Sequence, residues 1–164
     1  MTLHFYTQMV RYKRWAGAGI YGTVAQYLPT LPASESRVLR QIFDHVHVVD
    51  RIFQHHLLGT PHSYSAARSP ELPGMSALAE QSEATDHWYV DYVDQLSPED
   101  MAMSVEFRYA NGSPARMSRG EIISHVCLHG AYHRGNAAYV LHQCGIAHVG
   151  ERMTDFIESA DWSR

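Results

Sequence analysis

The strongest constraint on this chain is the stretch from Ser118 to Gly145. Ser118-Arg-Gly-Glu121 is a capping-box pattern, a serine followed three residues later by a glutamate, and it satisfies two orphan amides at a helix start. Cys144-Gly145 supplies a stop, because glycine readily takes the left-handed conformation that closes a helix. Between these signals His125, His129 and His133 recur every fourth residue. At roughly 100° per residue they fall at about 0°, 40° and 80° on the helical wheel. Ile122, Val126, Ala137, Val140 and Cys144 lie between about 60° and 120°, so the histidines border the core-facing stripe. Asn136 lies near 20° and reaches the same side, whereas His142 points away. A helix this long with one apolar stripe needs other helices to cover it.

The rest of the chain supplies them. Leu3 to Leu28 carries Met9, Tyr12, Trp15, Ala16, Ile20, Val24 and Leu28 at helical spacing, with Arg11, Lys13 and Arg14 mostly off that face. Leu28-Pro29-Thr-Leu-Pro32 ends it. A second helix begins at Ala33-Ser34-Glu-Ser36, with a serine as N-cap, and stops at Gly59-Thr60-Pro61. Its apolar face reads Val38, Ile42, Val49, Ile52 and Phe53. His45 lies within that stripe, and His47, rotated by about 200°, is expected to point outward. His62 to Gly74 reads as a loop. Ser76 is the expected cap of a third helix that runs to Leu96 and points Leu78, Ala79, Ser82, Thr85, Tyr89 and Val93 inward. Ser104 to Tyr109 alternates polar and apolar, and Ala110-Asn-Gly-Ser113 is a turn signal, which predicts a short hairpin or an extended crossover. A short helix near Met153 to Ala160 closes a single all-α domain spanning residues 1–164.

Composition narrows the function. The formal net charge is −4 and no basic run stands out, which argues against nucleic-acid binding. No apolar run approaches a membrane span, and Met1 to Tyr6 lacks the regions of a secretory signal. Two cysteines, Cys127 and Cys144, make no disulfide framework, so a reduced, cytoplasmic location is expected. Twelve histidines are many for 164 residues, and position decides which of them matter.

Helices two and four bring His45 opposite His129 and His133 if their apolar faces meet. Bundles build metal sites in this way. Three neutral imidazoles leave a coordination position for water or substrate, an arrangement of the catalytic type. His125 is either a fourth ligand or a partner of the ligands. The competing reading is that these are hydrogen-bonded core histidines, and spacing alone does not separate the two. No H-E-x-x-H metalloprotease motif, phosphate-binding glycine loop or serine or cysteine nucleophile signature is present.

Three stretches together resemble the DinB/YfiT-like family. His45-Val-His-Val-Val-Asp50-Arg-Ile-Phe53 resembles its second-helix motif. His125-Val-Cys-Leu-His129-Gly-Ala-Tyr-His133-Arg134-Gly135-Asn136 is similar to its H-x-x-x-H-x-x-x-H-R-G-Q signature. Tyr12-Lys-Arg-Trp15-Ala16 is similar to its first-helix pattern. The chain departs from these patterns at Asn136, where glutamine is usual, and at Phe53, where tryptophan is common. The resemblance implies a four-helix bundle of up-down-down-up connectivity with zinc or nickel on His45, His129 and His133. It also implies a homodimer, and an enzyme that joins a low-molecular-weight thiol such as bacillithiol or mycothiol to a small electrophile. His125, Asp50, Arg134 and Asn136 are further candidates near the metal or substrate. A metal-dependent hydrolase and a non-catalytic metal- or ligand-binding bundle are the alternatives.

Overall fold

The computed structural model describes residues 2–109, 112–147 and 152–159. In chain order these form α1 (Thr2–Tyr27), α2 (Ala33–Leu58), α3 (Met75–Asp94), α4 (Pro98–Ala102), β1 (Ser104–Arg108), β2 (Pro114–Ser118), α5 (Arg119–Gln143) and α6 (Met153–Glu158). The fourth helix expected from the sequence is α5. The short α4 precedes it, nucleated by a capping box between Ser97 and Asp100. No described helix is long and apolar enough to cross a membrane.

The four long helices pack side by side, α1 against α3 and α5, and α2 against the same two. Two apolar layers hold them. One gathers Ile20, Val24, Leu39, Phe43, Leu78, Ala137 and Leu141. The other gathers Val10, Val49, Phe53, Leu57, Tyr89, Val93, Ile122, Ile123 and Val126. The expected hairpin is present. β1 and β2 pair antiparallel, with Val105 opposite Met117 and Phe107 opposite Ala115, and pack against α2 and α5. Gly112 takes a φ of 82° after the turn, while Ala110 and Asn111, like Ala160 at the expected end of α6, lie outside the described residues. Phe156 anchors α6 on the Tyr12 and Trp15 rings of α1.

The helix signals of α5 hold as read. Ser118 and Glu121 form the reciprocal capping box, and Gly145 closes the helix with a φ of 72°. Gly59 does the same for α2 with a φ of 65°. Two expected caps are absent. α2 starts after Pro32 and α3 after Gly74, neither with a side-chain cap bond. Proline and extended glycine set those starts through backbone conformation instead. Val38 is 41 % exposed, and Leu39 and Phe43 take its place in the core.

His47 does not point outward. It is 9 % exposed. α2 is covered by α5 and by α3, and residues 59–74 also run back along it. That segment is tied down where Asp44 accepts from the Ser69 amide, His45 bonds the Ala67 carbonyl and Arg40 bonds the Pro73 carbonyl. A wheel drawn for one buried face has no place for a helix covered on three sides.

Candidate metal centre

α2 and α5 bring His45, His129 and His133 together. One ring nitrogen from each lies within 4.8 Å of the other two. His45 Nε2 and His129 Nε2 are 3.1 Å apart. The His133 ring centroid is 4.8 Å from that of His45 and 4.5 Å from that of His129. All three side chains are half-buried. The i,i+4 spacing stacks His129 over His133 on α5, and the packing of α2 on α5 supplies His45 from across the interface.

The surroundings fix which nitrogens converge. The Ala67 carbonyl, 2.9 Å from His45 Nδ1, accepts its N–H and so leaves the Nε2 lone pair pointing at His129. His133 Nδ1 is 3.4 Å from the Asn136 side-chain amide. An amide that presents its oxygen there accepts from Nδ1 and frees Nε2 as a ligand atom. This outer orienting of metal-bound imidazoles is the usual arrangement. His129 Nδ1 is buried and finds no hydrogen-bond partner among the described residues.

Electrostatics keep His129 and His133 neutral. Burial, then His133, His45, His125 and Lys13, push the His129 pKa down to about 3. Burial and His45 lower that of His133. Neutral imidazole is the form that donates a lone pair to a metal. An ion about 2.1 Å from each nitrogen in tetrahedral geometry sets the nitrogens about 3.4 Å apart. The His45–His129 pair is already near that separation. The donor set therefore fits a divalent transition ion.

The other sequence candidates go elsewhere. The His125 ring stacks on that of His129 at 5.7 Å and on the other side meets Phe53 at 4.7 Å. It borders the three donors without being one of the converging set. Asp50 accepts from Lys13 Nζ at 2.7 Å, and Lys13 also bonds Asp86. Lys13 and Asp50 are each 3 % exposed, so this is a buried ionic cluster. Arg134 lies over the Tyr12 ring, 5.5 Å from its centroid. Its Nη2 and the second oxygen of Asp50 find no hydrogen-bond partner among the described residues. Cys127 is buried in the core, and burial pushes its thiol up to about 12, which removes it as a ligand at neutral pH.

The wheel placed Lys13 off the inner face and gave Asp86 no role. The signal for Lys13 was there. Val10, Lys13, Ala16, Ile20 and Val24 form a stripe at spacings of three and four, one residue away from the stripe built on Met9 and Tyr12, and all five are buried. The Ala67 carbonyl carried no signal, since any residue offers one.

Neither the search of curated proteins nor that of solved structures returned a match. The sequence profile of the DinB family matches residues 1–164. With a match over the whole chain, a mostly helical fold and a three-histidine cluster compatible with metal binding, the chain belongs to the DinB family.

Proposed function

We propose that the chain is a metal-dependent enzyme that joins a low-molecular-weight thiol to a small electrophile. His45, His129 and His133 are the ligands of a zinc or nickel ion in this reading. One observation carries it: three imidazoles from two helices turn donor nitrogens toward one point with no carboxylate among them. A divalent ion held only by neutral ligands keeps its full charge, and that charge activates a thiol or a water at neutral pH.

The chain's own residues prepare the site for this. Ala67 and Asn136 orient two of the rings. His125 and Phe53 close one side with ring surface and limit the approach of water. The up-down-down-up order of the bundle belongs to the same reading. It is supported by the core layers, which join the late parts of α1 and α5 to the early parts of α2 and α3. A cytoplasmic homodimer that acts on a small molecule, away from nucleic acid and membrane, also belongs to it. Leu128, Tyr132 and Tyr139 are exposed along the outer face of α5 and offer an apolar stripe for a second copy.

The test is turnover. Tag-free protein loaded with zinc or nickel, and the same protein stripped by a chelator, are assayed for thiol consumption against a panel of electrophiles. Metal-dependent consumption is expected with at least one thiol. Metal binding without turnover against any thiol or electrophile leaves a binding bundle and overturns the transferase.

A further inference from the structure

Three of the histidines that the metal centre leaves unused gather at one place. His55 and His56, near the end of α2, and His62 beyond it line one wall of a groove of about 670 Å³. Phe107 and Tyr109, at the end of the hairpin's first strand, line the other. Small-molecule sites fall in the range of about 300–1,000 Å³. Half of the lining residues are aromatic. His56 stacks on Phe107, with centroids 4.3 Å apart and planes 22° apart. His62 meets His56 edge-on at 5.3 Å, and Tyr109 meets Phe107 edge-on at 5.4 Å.

The groove holds no unbalanced charge. Glu106 and Arg108 are both in its lining, and Arg108 donates to the Gly112 carbonyl at 2.8 Å. Burial, then the neighbouring His62 and His55, keeps His56 neutral, with its pKa at about 4. One polar atom is unmet, since His62 Nδ1 finds no hydrogen-bond partner among the described residues. A single ring, that of Phe53, stands between the groove and His125. Phe53 meets His56 at 5.6 Å and Phe107 at 5.7 Å, and on its other side meets His125 at 4.7 Å. This is the position where the family resemblance led us to expect tryptophan.

We infer that this groove binds a planar aromatic molecule, at a place separate from the three histidines. Ring edges and faces at mixed angles reward a flat π-system with stacked and edge-on contacts that a saturated molecule of the same shape does not make. Glu106 and Arg108 bring opposite charges to the lining, so the groove as a whole favours neither sign of ligand charge.

The test is a fluorescence titration of 2-naphthol into tag-free full-length protein, with decahydro-2-naphthol as a competitor. Binding to wild type is expected, about tenfold weaker in Phe107→Ala and about threefold weaker in Tyr109→Ala, whose exposed side chain is removed without touching the core. The saturated alcohol should compete about tenfold less well than unlabelled aromatic probe. His129→Ala/His133→Ala should bind 2-naphthol as wild type does. Wild-type affinity in both groove variants, equal competition by the saturated alcohol, or loss of binding only in the histidine double variant overturns the groove. Metal content measured on the same samples separates the two readings. A protein that binds 2-naphthol as expected and holds no ion keeps the groove and loses the metal centre.

Discussion

Two polar clusters share α2 and differ in whether they are complete. His45 and Asp50 come from α2, and His129 and His133 alternate along α5 with Gly130 and Arg134. In one cluster Lys13 bonds the carboxylates of both Asp50 and Asp86 inside the bundle. Burial alone would lower the Lys13 pKa, but the two carboxylates reverse that and hold it well above its ordinary value. In the other, three imidazoles face one another with no counter-charge, and two of their nitrogens lie 3.1 Å apart. A cluster with its opposite charges in contact is finished by folding. A cluster of imidazoles with no counter-charge has room for a cation. The first is structural, and the second is a candidate site.

The largest test of this contrast is to remove the lysine. Lys13→Met leaves two buried carboxylates uncompensated and should cost about 3–5 kcal/mol in urea denaturation. A loss below about 1 kcal/mol would contradict the structural role. The double variant His129→Ala/His133→Ala should behave oppositely. Without metal its stability should stay within about 1 kcal/mol of wild type. With zinc or nickel at a hundred times the dissociation constant, wild type should gain about 2.7 kcal/mol and the variant nothing.

Acid separates the regions by sign. Burial, then Arg51, pushes the His47 pKa down to about 4 from 6.5, and burial with His62 takes His56 to about 4. Below about pH 6.5 the unfolded chain binds these protons first, so stability present above that pH is lost as pH falls toward 4. Asp50 works the other way. Burial raises its pKa to about 6 from 3.8, so the folded state takes up that proton first and acidification across this window adds stability. His129 and His133 are lowered as well, so the histidines outnumber the one aspartate and the net is a loss. His47→Gln should flatten the fall between pH 6.5 and 4, and Asp50→Asn should steepen it. Denaturation midpoints across that range are the readout, and unchanged slopes in both variants would break the assignment.

Smaller effects report on the glycines that make room for the ionic cluster. A Cβ at Gly130 would lie 3.3 Å from Arg134 Nη1 and 3.4 Å from Lys13 Cε, and the Lys13 side chain is held by two carboxylates. Gly130→Ala should therefore cost about 1–3 kcal/mol. Gly22→Ala in α1 meets nothing within 4 Å and should gain up to about 1 kcal/mol from helix propensity. Thermal denaturation of the pair distinguishes crowding from propensity. Equal shifts would remove the packing argument. Ser118→Ala, which loses one capping bond at the start of α5, should cost about 1 kcal/mol.

Much of this was legible in the sequence where a local rule acts alone. The capping box at Ser118 and Glu121, the stop at Gly145 and the alternation of Ser104 to Tyr109 each depend on neighbours in the chain, and each holds. The convergence of His45 with His129 and His133 was legible because two helix faces had to meet. Periodicity failed where a helix has more than one covered side. It placed Val38 inside where Leu39 is buried, turned His47 outward where α3, α5 and residues 59–74 cover α2, and put Lys13 mostly off the apolar face of α1. A one-residue shift of a stripe is about 100° on the wheel, and the apolar pattern of these helices is too broad to resolve it. A charge in the core also has no sequence signature until its partners, here Asp50 and Asp86 on two other helices, are known.

The most direct measurement is a calorimetric titration of zinc into tag-free, metal-free protein, for wild type and for His45→Ala, with His47→Ala as the control. His45 faces the two imidazoles of α5 and His47, two residues on, does not. About one ion per chain in wild type and in His47→Ala, and none at the same concentration in His45→Ala, is the expected result. Undiminished binding by His45→Ala would contradict a metal centre shared between α2 and α5.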